Sequence, residues 1–349
     1  MRIPKLSSRA VSSVWLMTTF FILLHSCQGD PNSSSQVELR TPSQKAFPHA
    51  GHVYNPRKIA LIDNKLVVFD DVSEGFFKVY VTDAQPRLLS AWGNLSQNRL
   101  EGFGNVDVES VNKFGNQIGF LDYPVYRSFT VDGAGAFTVI DSCYFSTQDY
   151  DLNSVVKYGS GKYLVQPPVS YDAELPSFYA IDCGDFRQPT TKIGRLPEYE
   201  NLSFASPIDA YYFYFKYVFA HPSGKWATFY RHFDRAEFYS AQHELLRTEN
   251  TTGEILPATT SQERKICYVG GCATDEAVYG LFMHDYEYRI NEDPSTVQTE
   301  LQKWSWDGEL LARYDLQAPI LSVAVDEATE VAYCLQFDEA EPIVTYLLQ

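Results

Sequence analysis

A weak repeat of about fifty residues constrains the fold of this 349-residue chain more than any other feature. Each unit has a short apolar run, a tight turn and a second apolar run, as in Ile59–Ile62, Asp63-Asn64 and Leu66–Phe69. Six such turns recur along the chain, at Asn64, Asn116, Ser160, Ser223, Asp275 and Ala328. Their mean spacing is about 53 residues, the length that four short strands and their loops need in a propeller blade.

The composition favours strands over helices. Aromatic residues make up 15 % of the chain, with 24 Tyr and 23 Phe against 3 Met, and aromatic side chains are enriched in strands. No long stretch shows a 3.6-residue apolar period, whereas alternation is visible in Lys303–Trp306. We therefore predict an all-β fold in which residues 45–349 form a six-bladed β-propeller. A β-sandwich and a two-domain all-β chain are the alternatives.

The last unit contains only three predicted strands before Gln349. A propeller that does not close its ring leaves an exposed sheet edge. Gln36–Leu39 alternates between polar and apolar residues, so we predict that these residues supply the fourth strand of the last blade.

The N-terminal residues are typical of a lipoprotein. Residues 1–26 carry three basic residues and no acid, with an apolar run at 14–24 that is too short to remain a membrane-spanning helix. This is a predicted signal peptide. Leu24–Cys27 resembles a bacterial lipobox, which makes Cys27 the predicted lipid-attachment residue. An ordinary secretory signal cleaved near Ser26 is the alternative. Residues 27–44 are mostly polar and predict a lipidated tether that includes the closing strand.

The net charge of −16 excludes a nucleic-acid partner, because no basic surface is available to neutralise phosphates. An acidic protein is also repelled by anionic headgroups, so attachment to a membrane requires the lipid. We expect an outer-membrane lipoprotein, and the sequence leaves open whether it faces the periplasm or the exterior.

The motif search finds no catalytic sequence and predicts no metal or cofactor. Asn105–Glu109 begins like a calcium loop, but Ser110 and Asn116 occupy the positions that require Gly and Glu. His49 and His52 are a weak pair that we interpret as loop histidines. Arg231–Asp234 combines basic, imidazole and acidic groups, which we interpret as a hydrogen-bonded hairpin turn.

Two further features leave alternatives open. Cys267 and Cys272 are close enough in sequence for a local disulfide, or they are buried strand cysteines. Tyr211–Tyr217 is the densest aromatic run, and we interpret it as a strand with one face between blades and one toward the channel. Rings with hydroxyls also suit contacts with sugars or peptides.

Several stretches resemble the TolB-like six-bladed propeller lipoproteins of gut-type Gram-negative bacteria. They are Trp304–Tyr314, Ser322–Glu327, Gly224–Trp226, Tyr230–Tyr239 and Ala91–Gly93. The resemblance covers about residues 45–349 and rests on strands and turns. It implies the fold and the lipid anchor, but it brings no shared chemistry, so no catalytic residue is carried over.

Together these observations predict a non-catalytic binding or scaffold protein with an unidentified protein or glycan partner. The alternative is a calcium-dependent lactonase or other hydrolase, an expectation that rests on fold analogy alone. Acidic and amide side chains converging in the channel would favour the enzyme.

Overall fold

A computed structural model describes residues 37–48, 52–72, 74–83, 85–94, 103–104, 106–145, 155–166, 176–184, 191–197, 207–253, 264–337 and 341–349, with backbone only at residues 74, 94, 207, 208 and 211. The predicted signal peptide, Cys27, Gln36, His49 and Asn105 lie outside these residues.

Short strands account for most of the described chain. In chain order they are β1 Leu39–Arg40, β2 Ser43–Ala46, β3 Pro56–Ile62, β4 Lys65–Asp70, β5 Glu74–Val81, β6 Arg87–Asn94, β7 Val106–Phe114, β8 Gln117–Asp122, β9 Val125–Val131, β10 Phe137–Tyr144, β11 Val155–Gly159, β12 Lys162–Val165, β13 Phe178–Asp182, β14 Thr191–Ile193, β15 Lys216–Ala220, β16 Trp226–Tyr230, β17 Ala236–Tyr239, β18 Leu245–Glu249, β19 Lys265–Ala273, β20 Val278–Tyr286, β21 Glu300–Trp304, β22 Leu310–Asp315, β23 Ile320–Asp326, β24 Val331–Gln336 and β25 Ile343–Leu347.

These strands form six small sheets, which confirms the predicted six-bladed propeller. Blades 1 to 4 are β3–β6, β7–β10, β11–β14 and β15–β18, each a run of antiparallel neighbours. Blade 5 is β19–β22, and blade 6 is β23–β25 together with β2. The innermost strands β3, β7, β11, β15, β19 and β23 contact one another in that cyclic order, so the ring closes around a central channel.

Apolar faces of neighbouring blades hold the ring together. Between blades 1 and 2, Phe77 contacts Phe120 with ring centroids 5.2 Å apart, and Phe120 stacks on Phe129 at 5.1 Å. Between blades 3 and 4, Trp226 and Tyr239 stack at 3.8 Å within a cluster that includes Phe178. Such aromatic pairs add to the stabilisation from buried area, which explains the aromatic-rich composition.

The N-terminal segment closes the ring, but the predicted residues were wrong. The fourth strand of blade 6 is β2, which pairs antiparallel with β25, whereas Leu39–Arg40 pairs in parallel with β22 of blade 5. All four residues of β2 are exposed, so alternation does not select this strand. Phe47, which follows β2, anchors this strand instead. Its side chain is only 3 % exposed, and its N–H donates to the carbonyl oxygen of Ile343 at 3.1 Å.

The strand predicted over Tyr211–Tyr217 is largely wrong. A helix, α1, spans Pro207–Phe213, and only the last two residues of the run belong to β15. Pro207 is favourable at the first helical position and Asp209 complements the helix dipole in the first turn. A second short helix, α2, spans Glu287–Glu292. None of the helices in the described part of the chain has the length and hydropathy needed to span a membrane.

Cys267 and Cys272 do not form the local disulfide that the sequence left open. Both are free thiols on β19, five positions apart along one extended strand. Five strand residues span roughly 16 Å, well beyond the reach of a disulfide.

Candidate functional site

Two ligand-sized cavities lined by described residues open at one face of the propeller, here called the upper face. It is the face where the innermost strand of each blade begins and the second strand ends. A cavity of about 700 Å³, the mouth cavity, lies there over the channel. It is lined by the first residues of β3, β7, β15 and β19 and by the connections that follow β4, β16 and β20.

The channel narrows below this cavity. The next space down holds only about 30 Å³, and Lys58, Asn112, Phe219 and Gly271 line it. The side-chain amide of Asn112 donates across the ring to the carbonyl oxygen of Val218 at 2.9 Å. The mouth cavity is therefore the larger of these two spaces and the candidate ligand site.

Asp107, in β7, is the acid with the least compensated charge at this site. Its Oδ1 accepts the N–H of Glu109 at 3.0 Å, and its carbonyl oxygen accepts the Ser110 hydroxyl at 2.6 Å. Its Oδ2 is buried and has no hydrogen-bond partner. Burial and the neighbouring Glu109 carboxylate raise the pKa of Asp107 to about 6, although Lys58 and two backbone N–H groups act in the opposite direction.

Glu109 has a partner of its own. The Lys58 ammonium lies 3.5 Å from Glu109 Oε2 and donates to the Glu109 carbonyl oxygen at 3.3 Å. Lys58 comes from β3 of blade 1 and Glu109 from β7 of blade 2. The ion pair thus joins two blades and leaves the Oδ2 of Asp107 as the carboxylate oxygen with unused hydrogen-bonding capacity.

Arg231 is the half-buried cation that faces the same space, whereas Arg57, which also lines the mouth cavity, is exposed. It follows β16, its N–H donates to the Phe215 carbonyl at 2.9 Å, and its own carbonyl accepts the Cys267 N–H at 2.6 Å. The guanidinium Nη1 is 3.4 Å from the hydroxyl of Tyr217. Burial raises the pKa of Tyr217, so this hydroxyl is neutral at physiological pH.

A second cavity of about 560 Å³, the side cavity, adjoins the mouth cavity and shares Asp107, Glu109 and Arg231 with it. His232 lies in its wall. The Nδ1 of His232 is 3.1 Å from the carbonyl oxygen of Lys265 and must donate to it, so Nε2 carries the lone pair. Burial lowers the pKa of His232 to about 4, and the nearby arginines act in the same direction.

Exposed aromatic side chains surround these cavities on the upper face. They belong to the segment before β3, to α1, to the end of β20 and α2, and to the residue after β24. The residues are Tyr54, Tyr212, Tyr286, Tyr288 and Phe337, with exposures from 37 % to 75 %. Flat rings with polar edges at the rim of a polar cavity provide contact surface for a bound organic molecule.

The structure brings together only part of what the sequence indicated. Arg231 and His232 line the side cavity, whereas Asp234 accepts hydrogen bonds from the Thr251 and Thr252 backbone, which lies outside the turn. The calcium-loop candidate supplies Asp107 and Glu109. Within the described ranges no group of three His, Cys, Asp or Glu side chains is placed to hold a metal ion.

Sequence reasoning did not select Asp107 and Arg231 as a pair. They lie in blades 2 and 4 and share no motif. Their positions in the repeat could have indicated the site. A charged residue at the start of an innermost strand, or at the end of a second strand, lies at the upper face of a propeller.

Fold and cavities together define a six-bladed β-propeller with a polar, mixed-charge pocket over one end of its channel. The chain matches no family model and no curated protein. Among solved structures it is similar to a member of the DUF4221 family from Bacteroides vulgatus, with 13 % identity and a TM-score of 0.55, over 91 % of this chain and 98 % of that one.

Two other solved structures show weaker likeness. Raptor from Chaetomium thermophilum has 12 % identity and a TM-score of 0.44, over 93 % of this chain and 30 % of that one. The computationally designed Ika8 protein has 9 % identity and a TM-score of 0.40, over 87 % of this chain and all of that one. Likeness at these identities concerns the fold alone.

Proposed function

We propose that this protein is an exported, lipid-anchored TolB-like propeller that acts at the outer membrane as a non-catalytic binding protein, with its ligand in the mouth cavity. The observation that carries the proposal is the buried, unpartnered Oδ2 of Asp107 at a cavity of about 700 Å³. This volume is within the range of small-molecule sites.

An unpaired buried carboxylate oxygen lowers the stability of a folded protein, because its lost hydration is not replaced. Groups of this kind in native proteins call for an explanation, and a perturbed carboxyl in a cleft marks a candidate functional site. A cationic ligand group beside the half-buried Asp107 carboxylate supplies the missing counter-charge. The Glu109 N–H holds the carboxylate through Oδ1, and the Ser110 hydroxyl holds the Asp107 backbone through its carbonyl oxygen.

The composition of the cavity walls favours binding over catalysis. The described residues that line the two cavities include no Ser, Thr or Cys, and their hydroxyls belong to Tyr212 and Tyr217. Covalent catalysis needs a nucleophile next to a base. A calcium-dependent hydrolase remains an outcome of the test below.

The cell-envelope location is supported by the sequence of residues 1–27, where a basic segment, an apolar run and a small residue precede Cys27. Metabolic labelling with radioactive palmitate tests it. The wild-type protein should take up label in the membrane fraction, and Cys27→Ala should remain as unlabelled precursor. Equal labelling of both would contradict the lipid anchor.

Binding is tested with full-length protein in detergent, screened by thermal shift against saccharides, amino acids and short peptides, with and without Ca²⁺. A ligand at a hundredfold excess over its Kd stabilises the folded state by about 2.7 kcal/mol, which a melting curve resolves. The shift should be lost in Asp107→Asn. It should be retained in Asp83→Asn, where an exposed aspartate accepts the N–H two residues later at the same 3.0 Å.

Two results would overturn the proposal. One is the absence of any ligand-dependent shift across the screen. The other is calcium-dependent turnover of a lactone or ester that disappears when a channel carboxylate is replaced, which would favour the hydrolase.

A further inference from the structure

Among the residues that the structure describes, the guanidinium of Arg231 has no carboxylate partner. Its one side-chain hydrogen bond within the described chain is the long contact with the Tyr217 hydroxyl at 3.4 Å. Most other partly buried arginines form close ion pairs. These pairs are Arg127–Asp122, Arg235–Glu237, Arg247–Glu249, Arg264–Glu287 and Arg313–Glu300.

The position of Arg231 is nevertheless fixed. Its backbone is hydrogen-bonded on both sides, to Phe215 before β15 and to Cys267 in β19. The side chain is half-buried and lines both cavities. An arginine that is held rigidly and left without an acid offers a fork of N–H donors to a planar anion, and a carboxylate is its best match.

Asp107 presents the opposite charge to the same two cavities. Its Oδ2 lacks a partner, whereas Glu109 is neutralised by Lys58 at 3.5 Å and Arg264 by Glu287. After these pairs are set aside, Asp107 and Arg231 remain as the half-buried acid and cation without an ion pair among the described residues shared by both cavities; Arg57 and Asp71, which also line the mouth cavity, are exposed to solvent. A ligand with a single charge would satisfy one of them and leave the other desolvated and unpaired.

We infer that the ligand is a small zwitterion, an amino acid or short peptide whose ammonium group binds Asp107 and whose carboxylate binds Arg231. This inference rests on the proposed binding function and specifies its ligand class. A zwitterion has no net charge, so the overall charge of −16 does not oppose its approach as it would oppose an anion. The aromatic side chains at the rim are available to its side chains.

The test uses ligands in which each charge is removed separately. Full-length protein is titrated by calorimetry with free L-amino acids and with dipeptides. Each compound that binds is compared with its N-acetylated and its C-amidated form. Blocking either end should weaken binding by about ten- to a hundredfold, the usual range for losing a hydrogen bond between charged groups.

Variants assign each end to its residue. In Arg231→Gln, the free and the amidated ligand should bind equally, while the N-acetylated form should still bind more weakly. In Asp107→Asn the pattern should reverse. Arg231→Lys keeps the charge without the fork and should give an intermediate affinity. Far-ultraviolet circular dichroism and melting curves confirm that each variant is folded before its affinity is measured.

Three outcomes would overturn the inference, and they differ in what they mean for the proposed function. If blocked and free forms bind equally, the charges are not recognised. If neutral saccharides bind and zwitterions do not, the inference fails and the binding function stands. If no compound in either set binds, both fail.

Discussion

Replacing Asp107 with Asn should stabilise the unliganded protein at neutral pH. Asn keeps a side-chain oxygen that accepts the Glu109 N–H, the bond that measures 3.0 Å to Asp107 Oδ1. It removes the charge at the buried Oδ2, which has no partner. The same substitution should therefore strengthen the fold and weaken ligand binding, as expected where a site is maintained at the expense of stability.

The magnitude follows from the pKa of Asp107, which is raised from its ordinary value of 3.8 to about 6. The unfolded chain releases this proton near pH 4, whereas the folded protein holds it until about pH 6. Stability therefore falls as the pH rises through this interval. Each pKa unit corresponds to about 1.4 kcal/mol, so the full loss is at most about 3 kcal/mol. Asn does not titrate, so the Asp107→Asn variant avoids this loss of stability.

Chemical denaturation at pH 4 and pH 7 measures the effect. The stability difference between Asp107→Asn and wild type should grow by about 2–3 kcal/mol in favour of the variant between these pH values. Asp83→Asn is the matched control, because Asp83 makes the same 3.0 Å bond two residues along but is exposed. It should change stability by less than about 0.5 kcal/mol at either pH.

A stability difference that stays constant from pH 4 to pH 7 would refute the reasoning. It would mean that the Asp107 carboxyl titrates alike in the folded and unfolded chain, and that its Oδ2 is solvated or paired. The basis for placing the ligand at Asp107 would then be lost.

Three other substitutions test the fold and the side cavity. Phe47→Ala should lower the free energy of unfolding by about 3–5 kcal/mol in chemical denaturation, because it removes the buried anchor of the closing strand. A loss below about 1 kcal/mol would show that Phe47 does not anchor the strand that closes the ring. Because the pKa of His232 is lowered to about 4, this residue's contribution to stability should fall by up to about 3 kcal/mol as the pH decreases from 7 to 4. The stability difference between His232→Gln and wild type should therefore shift by that amount in favour of the variant, and a difference that does not change with pH would contradict the buried neutral imidazole. Gly271→Ala should sharply lower the melting temperature, because the new Cβ would overlap the carbonyl oxygen of Tyr279. Gly133→Ala is the control: its Cβ would meet no atom within 4 Å, so the melting temperature should not change. Equal melting temperatures for the two variants would refute this packing.

The sequence identified the inner strands of each blade and missed several outer ones. β3 and β4 match the predicted runs Ile59–Ile62 and Leu66–Phe69 because their side chains are mostly buried between blades and therefore apolar. β10 and β18 are largely exposed, so their sequences carry no apolar alternation to detect. The spacing of about 53 residues implied a fourth strand in each unit without locating it.

The closing strand shows the limit of alternation as a guide. Leu39 belongs to an alternating segment and does form a strand, but on blade 5 rather than blade 6. β2 has four exposed side chains and is selected by its backbone pairing with β25 and by Phe47 behind it. Backbone hydrogen bonding does not depend on side-chain identity, so this choice leaves little trace in the sequence.

The sequence by itself determined that the chain is an all-β propeller of six units, because burial between blades imposes a local, repeated pattern of apolar strands and turns. Only the tertiary structure decided which strand closes the ring and which charges remain unpaired. Asp107 and Arg231 are far apart in the chain and line the same cavities because β7 begins and β16 ends at the upper face. Their lack of partners depends on the ion pairs formed by Lys58 and Glu287, which take up the neighbouring charges.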